Sequence, residues 1–271
     1  MFLNFYVIIM FSFMFAQYDW QENGVPVRQG IHIEWQRTGD NGSTGEMIFA
    51  WSDTRFGGRD IYAKKIDNNG NDLWNSEGVQ IVVAEGRQED PILVSDDNGG
   101  AYIIWVDYRD EPDNGDIYAQ HINAQGIISW GIEGVPLTTV EGKQVSPNMS
   151  KDGEGGAFVI WNDQSASTLG YIYGTHLTQN SNDIIAPNTG VPLISSDSQH
   201  SGVSIEVAAV GSAILVWTDD KNLDNSDLDI YGQRIDANCN TLWSTPSEGG
   251  IPICNVSSIQ QYAKVTYYDE L

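Results

Sequence analysis

A carboxylate and a guanidinium two positions apart, next to a tryptophan, are the most chemically suggestive feature of this sequence. Trp105-Val-Asp107-Tyr-Arg109 is one instance and Trp51-Ser-Asp53-Thr-Arg55 another. Asp163 follows Trp161 with Ser165 in the Arg position, and Asp219 follows Trp217 with Lys221 there. Read as function, Asp53, Arg55, Asp107, Arg109, Asp163 and Asp219 make an acidic, hydrogen-bonding rim for a glycan, a peptide or a cation. Read as structure, each Asp caps its own loop or pairs with the Arg two positions on. Recurrence favours the structural reading, and the units with Ser165 and Lys221 then lack the Arg–Asp pair.

Other candidate chemistry is thinner. Glycoside hydrolysis needs two carboxylates roughly 5–10 Å apart across one pocket. Glu34, Glu89, Asp90 and Glu206 lie on or beside first strands, where a central channel would run, but they do not recur as a constellation. Asp67, Gly70 and Trp74 approach a sialidase-type Asp box with each interval one residue too long. A nucleophile elbow, HExxH, a P-loop and a dinucleotide fingerprint are all missing. His32, His121, His176 and His200 stand alone in sequence and read as surface or packing residues. Asp67-Asn-Asn-Gly-Asn-Asp72 and Asp96-Asp-Asn-Gly-Gly100 are oxygen-rich enough for calcium, but lack the bidentate Glu of an EF-hand. Tight turns select the same residues for backbone reasons. No cofactor and no metal ligand set is assigned, with calcium the one ion considered.

What must position these residues is a repeat. Trp51, Trp105, Trp161 and Trp217 are separated by 54, 56 and 56 residues, and Tyr62, Tyr118, Tyr173 and Tyr231 follow at a nearly constant offset. Gly78-Val79, Gly134-Val135, Gly190-Val191 and Gly250-Ile251 recur in register, and Gln29, Gln88, Gln144, Gln199 and Gln260 open the units. The units span approximately 29–87, 88–143, 144–198 and 199–259, with a partial fifth over 260–271. A period of this length marks a propeller or another repeat array.

Each unit reads as four short strands. In the second, Pro91–Val94 is a strand closed by the Asp96–Gly100 turn, and Ala101–Trp105 is a continuous apolar run of the kind buried on both faces. Asp116–Ile122 alternates, Asn123–Gly126 turns, and Ile128–Leu137 supplies a last strand whose Pro136 suits an outer edge. No amphipathic helix follows the leader. The expected fold is all-β, a β-propeller of four-stranded antiparallel blades with four full blades and part of a fifth. An open β-solenoid is the alternative, though its coils are usually shorter. Burying each marker Trp removes roughly 150–250 Å² from water, an upper-bound gain of about 4–6 kcal/mol.

The ends and the composition set the context. Met1–Gln17 carries no charged side chain and is too short to span a membrane comfortably, so it reads as a signal peptide despite lacking a basic n-region. An uncleaved anchor is the alternative. Trp20–Val27 matches the last strand of a unit, Gln260–Tyr268 the first, and the chain reads as an incomplete copy of a longer repeat protein. A net charge of −24, from 37 acidic and 13 basic residues, argues against nucleic acid and anionic lipid as partners. Cys239 and Cys254 could pair in an oxidising compartment, but strand-like residues between them would hold them apart.

The set Trp105, Asp107, Arg109, Asp116, Tyr118, Gln120, Gly126, Trp130 and Val135 resembles the repeats of large propeller proteins exported by bacteria, many with a C-terminal type IX sorting domain. That resemblance implies secretion or display at the cell surface and brings no shared activity. The functional expectation is a non-catalytic, monomeric propeller that binds a glycan or a protein at or outside the cell surface. A propeller glycoside hydrolase and a purely structural spacer are the alternatives. Individuality should lie where units disagree, at Gln36–Glu46, Gln164–Gly170 and Asp220–Asp229.

Overall fold

Glycine- and asparagine-rich turns punctuate runs of β-branched and aromatic residues, and the chain folds accordingly into antiparallel strands. The computed structural model describes residues 34–41 (backbone), 45–165, 170–179, 184–221 and 228–266. The first sheet contains β1 (Glu34–Asn41), β2 (Met47–Asp53), β3 (Asp60–Ile66) and β4 (Val79–Gln80). The second contains β5 (Gln88–Ser95), β6 (Ala101–Asp107), β7 (Asp116–Ile122) and β8 (Val135–Thr138). The third is β9 (Gln144–Lys151), β10 (Ala157–Asp163), β11 (Tyr171–Leu177) and β12 (Val191–Ile194). The fourth is β13 (His200–Ala209), β14 (Ser212–Asp219), β15 (Asp229–Asp236) and β16 (Ile251–Cys254). Strand order follows chain order in every sheet, so each unit is an up-and-down meander. The helical content of the described residues is one 3-10 turn, Pro246–Glu248.

First strands of successive units pack together, β1 on β5, β5 on β9 and β9 on β13. They therefore lie innermost and the fourth strands outermost, the arrangement of a β-propeller. Second strands are covered on both faces, and every residue of β6 is buried. This is why their sequence is apolar without alternation.

The marker residues pack as one device per blade. Each Trp stacks on its cross-strand Tyr at 6.2–6.4 Å between ring centres. The glycine of each Gly-Val step sits where the Trp ring passes. A Cβ on Gly78, Gly134, Gly190 or Gly250 would lie 2.4–2.8 Å from the Cη2 of Trp51, Trp105, Trp161 or Trp217, and all four glycines have φ between +67° and +85°. Sterics and backbone together exclude any other residue there.

Three expectations need correction. The residue opening the fourth unit is His200, not Gln199: His200 pairs with Asp219 as Gln88 pairs with Asp107 and Gln144 with Asp163. By the same register Glu34, opposite Asp53, opens the first unit; Gln29 lies outside the described residues. The 18-residue interval from Gln199 to Trp217, against 17 in the two preceding units, was the sign of this. The last strand of the second unit is Val135–Thr138, because Ile128 makes only a single bridge, to Ile122. Residues 260–266 form no strand, although Gln260 still takes an opener's place. Its backbone N–H donates to Leu228 O, as Gln88 does to Arg59 O and Gln144 to Gly115 O. The leader, Met1–Gln17, and Trp20–Val27 lie outside the described residues.

Candidate functional site

The register places each opener beside a marker Asp, so one end of the molecule carries the β2–β3-type loops and the links between units. The Asp–Arg motifs stand there, turned inward. Asp107 accepts Trp105 Nε1 at 2.8 Å, Arg109 N at 3.0 Å and Arg109 Nε at 3.0 Å. Arg109 continues to Glu133 O at 2.9 Å and lies 4.0 Å over the Tyr118 ring. Asp53 repeats this with Trp51, Arg55, Glu77 O and Tyr62. Burial pushes the Asp53 carboxyl up, but hydrogen bonds from Arg55 and Trp51 outweigh it and hold the pKa below its ordinary value.

The other two blades deviate as their sequences imply. Asp219 keeps its Trp217 bond, accepts Lys221 N, and leaves the ammonium to Glu248 O. Asp163 accepts the N–H and hydroxyl of Ser165, while Trp161 Nε1 finds no partner among the described residues. All four carboxylates are buried and joined to their own blade.

The other acids divide sharply. Glu89 is clamped between Arg59 and Arg87, and Glu206 accepts Ser150 Oγ and Val207 N. The Glu34 side chain is outside the described residues. Asp116 lies across from Asp107 in the β6–β7 register. Burial, then Asp110, Asp107 and Glu111, raise its carboxyl to about 7, against the opposing pull of Arg109.

The three described histidines do not stand alone in space, and His32 lies outside the described residues. His121 Nε2 meets Asp96 Oδ2 at 2.8 Å and His176 Nε2 meets Asp152 Oδ2 at 2.8 Å, at the opposite end of the molecule. His200 Nδ1 donates to Gly170 O at 2.9 Å, and its Nε2 lies 3.0 Å from Ser196 Oγ. The calcium-like turns are closed by their own backbone: Asp67 Oδ1 accepts Asn69 N and Asn71 N, and Asp96 Oδ1 accepts Asn98 N and Gly100 N. Cys239 and Cys254 are both free thiols.

Open space with mixed chemistry lies at the inner strands. Each first strand is bulged just after its opener, with register breaks at Trp35/Arg37, Glu89/Ile92, Val145/Asn148 and Ser201/Ser204. Two residues after Gln88, Gln144, His200 and Gln260 the chain turns left-handed whatever the side chain: Asp90 φ 54°, Ser146 φ 53°, Gly202 φ 62° and Tyr262 φ 64°. Such a conformation in a non-glycine costs about 1–2 kcal/mol and gathers at functional sites. Bulges of this kind re-aim strands next to binding clefts.

Two cavities follow. One, about 420 Å³, lies between the second and third units against Asp90, Pro91, Ile92, Val106 and Tyr108, with Ser146 on the far wall. The other, about 360 Å³, lies between the third and fourth units against Ser146, Pro147, Asn148, Asn162 and Gln164, with Gly202 on the far wall. Both fall within the roughly 300–1,000 Å³ typical of small-ligand sites.

Comparison with solved structures gives the fold a context. The α-L-arabinanase of Penicillium chrysogenum, solved with arabinobiose, superposes with a TM-score of 0.52 at 9% identity, over 86% of this chain and 71% of its own. A protein of unknown function from Dyadobacter fermentans superposes with a TM-score of 0.50 at 12% identity, over 79% and 69%. The chain shares their propeller fold. No protein-family profile matches the sequence, and no curated protein matches it.

Within this propeller the two cavities are the same place in successive repeats. Counting from the openers Gln88 and Gln144, Asp90 corresponds to Ser146 and Ile92 to Asn148. Counting from Trp105 and Trp161, Val106 corresponds to Asn162 and Tyr108 to Gln164. None of the six expected Asp and Arg rim residues is among the described lining of the cavities, which bring together a set that sequence reading passed over: Ser146, Asn148, Asn162 and Gln164. A position-by-position comparison of the units would have found them. The marker landmarks drew attention to what recurs.

Proposed function

We propose that this protein is a carbohydrate-handling propeller, exported from the cell, that binds a neutral glycan at the inner strands of its blades. The observation that carries the reading is the cavity between the third and fourth units, whose described walls offer amide and hydroxyl groups and no carboxylate or ammonium. Neutral donors and acceptors on a partly apolar wall suit ring hydroxyls, and they suit phosphates or charged peptides poorly. The uncharged leader supports export, and the net charge of −24 suits a soluble extracellular protein.

Hydrolysis is the second reading. It is favoured by the fold shared with an arabinanase and by Asp90, an acid on the cavity wall whose pKa the surrounding protein raises. Against it, the described lining of the two cavities holds one carboxylate where glycosidases use two.

A glycan microarray followed by calorimetry tests binding, and reducing-end release from the same glycans tests cleavage. Binding without turnover is the expected result. Turnover abolished by Asp90→Asn in a folded protein would replace the binding reading with the hydrolytic one. Silence in both assays would sink the carbohydrate reading.

A further inference from the structure

The two cavities meet at one short wall. Val145, Ser146 and Pro147, at the start of β9, line both of them. The third unit's bulge is therefore a saddle between two chambers. Ser146 adopts φ 53° there, and its neighbour Pro147 has no N–H to leave unsatisfied in the gap. A ligand longer than one ring can lie across this saddle without leaving the groove.

The chambers differ in a systematic way. On the third-unit side, Ile92, Val106 and Tyr108 of the preceding repeat have become Asn148, Asn162 and Gln164. Hydrogen bonds hold part of this amide wall in place. Asn148 donates to Val203 O at 3.2 Å and accepts Met149 N at 2.8 Å. Asn162 is held differently: its Oδ1 is enclosed and has no partner among the described residues, and its Nδ2 reaches His200 O only at 3.5 Å. An enclosed amide oxygen without a donor is costly. Turning that oxygen towards a ligand hydroxyl would recover the cost. On the second-unit side the wall is Pro91, Ile92 and Val106, with Asp90 as its charged group. Arg87 covers one face of the Tyr108 ring at 3.7 Å, and Tyr108 lines the same cavity.

Resting on the carbohydrate reading, we propose that the groove binds a linear glycan of at least two sugar rings lying across Ser146–Pro147. The amide chamber reads the hydroxyls of one ring, with Asn162 accepting from it. The Asp90 chamber takes the second ring against its apolar wall, and the carboxylate accepts a hydrogen bond from one of its hydroxyls. Asn162 sets the identity of the first ring, and Asp90 sets the preference for a chain over a single sugar.

The sister repeats supply substitutions that this scaffold already accommodates. Asn162→Val copies Val106, and Asp90→Ser copies Ser146. Calorimetric titration of the purified chain would use arabinose, arabinobiose, mannose, mannobiose, glucose and cellobiose. The sugar that binds is expected to do so at least ten-fold more tightly as the disaccharide than as the monosaccharide. Asn162→Val should cost about ten-fold for both lengths, and Asp90→Ser should remove the disaccharide advantage, bringing the two constants together. Equal constants for the two lengths would overturn the two-ring site, as would binding indifferent to Asn162→Val in a protein whose melting curve is intact. Failure of all six sugars to bind would instead count against the carbohydrate reading beneath it.

Discussion

The cavity after the second unit and the cavity after the third are built by the same backbone. Both begin at a bulged first strand with a left-handed residue two places after the opener. Both are walled by the residues that follow the marker Trp. Yet the first presents Asp90, Ile92, Val106 and Tyr108, and the second Ser146, Asn148, Asn162 and Gln164. The loops above them differ in parallel, since Asp107 is locked by Arg109 whereas Asp163 accepts from Ser165. Repetition thus belongs to what holds a blade together, and divergence to what faces open space. Function is to be sought at positions that fail to repeat, with the recurring Asp and Arg residues serving as fasteners.

The sharpest way to break this comparison is to remove the fastener from each loop. In Asp107→Ala the Trp105 N–H is left enclosed and Arg109, 14% exposed in its side chain, loses the carboxylate it is hydrogen-bonded to. Losing one member of a buried pair typically costs about 3–5 kcal/mol. Asp163→Ala removes two hydrogen bonds from an exposed serine and leaves no stranded cation, so about 1–2 kcal/mol is expected. Urea denaturation of the two variants measures the difference. Equal losses would mean that Arg109 contributes nothing to locking its loop.

How far this could be read from the sequence depends on what kind of signal each feature leaves. The Trp–Tyr stack and its glycine were legible because the packing tolerates one solution: any Cβ on Gly134 collides with the Trp105 ring. The four-stranded unit, its buried second strand and the inward-facing end loops followed from that register. The opener was misassigned in the fourth unit because Gln199 carries the expected residue type, while backbone pairing selects its neighbour His200. The extended last strand was misjudged because Gly131 and Gly134, both at positive φ, interrupt pairing that an apolar pattern alone suggests. The bulges left no trace, since Asp, Ser, Gly and Tyr share no composition that would announce a left-handed turn. The cavities they create were therefore invisible. Likewise, isolated histidines became Asp–His pairs through contacts spanning 24 and 25 residues, which spacing does not reveal.

A smaller effect separates the same two loops electrostatically. Asp116 faces Asp107 across the second unit, whereas Tyr171 faces Asp163 in the third. The folded-state pKa of Asp116, raised from 3.8 to about 7 by burial first and by its acidic neighbours second, means that folding opposes its ionisation. The penalty is absent below about pH 4, grows as pH rises from 4 towards 7, and is complete above 7. Because this carboxyl is partly open to solvent, about 1–2 kcal/mol is the expected size after allowance for screening. Asp116→Asn should therefore raise the melting temperature at pH 8 and leave it unchanged at pH 4, and Tyr171→Phe should show no such pH dependence. A uniform shift across pH would point to packing in place of charge.

The smallest expected effect comes from rebuilding the missing lock. Ser165→Arg gives the third unit the residue found in the first two. The receivers of that side chain are in place: Asp163 is buried beside it, and Tyr173 stacks on Trp161 at 6.3 Å, as Tyr118 stacks on Trp105. Thr189 precedes Gly190 as Glu133 precedes Gly134, so the carbonyl corresponding to the one Arg109 reaches belongs to Thr189. If the blades are equivalent, the guanidinium falls into this arrangement and adds about 1 kcal/mol, the net of a charge-assisted hydrogen bond against the ordering of a long side chain. The melting temperature should rise by a few degrees. The amide cavity is built from Asn148, Asn162 and Gln164, none of which this substitution replaces, so ligand affinity should stay unchanged. A loss of affinity without a gain in stability would show that the third unit's loop gave up its arginine to serve the cavity, and fastening and binding would then compete for the same residues.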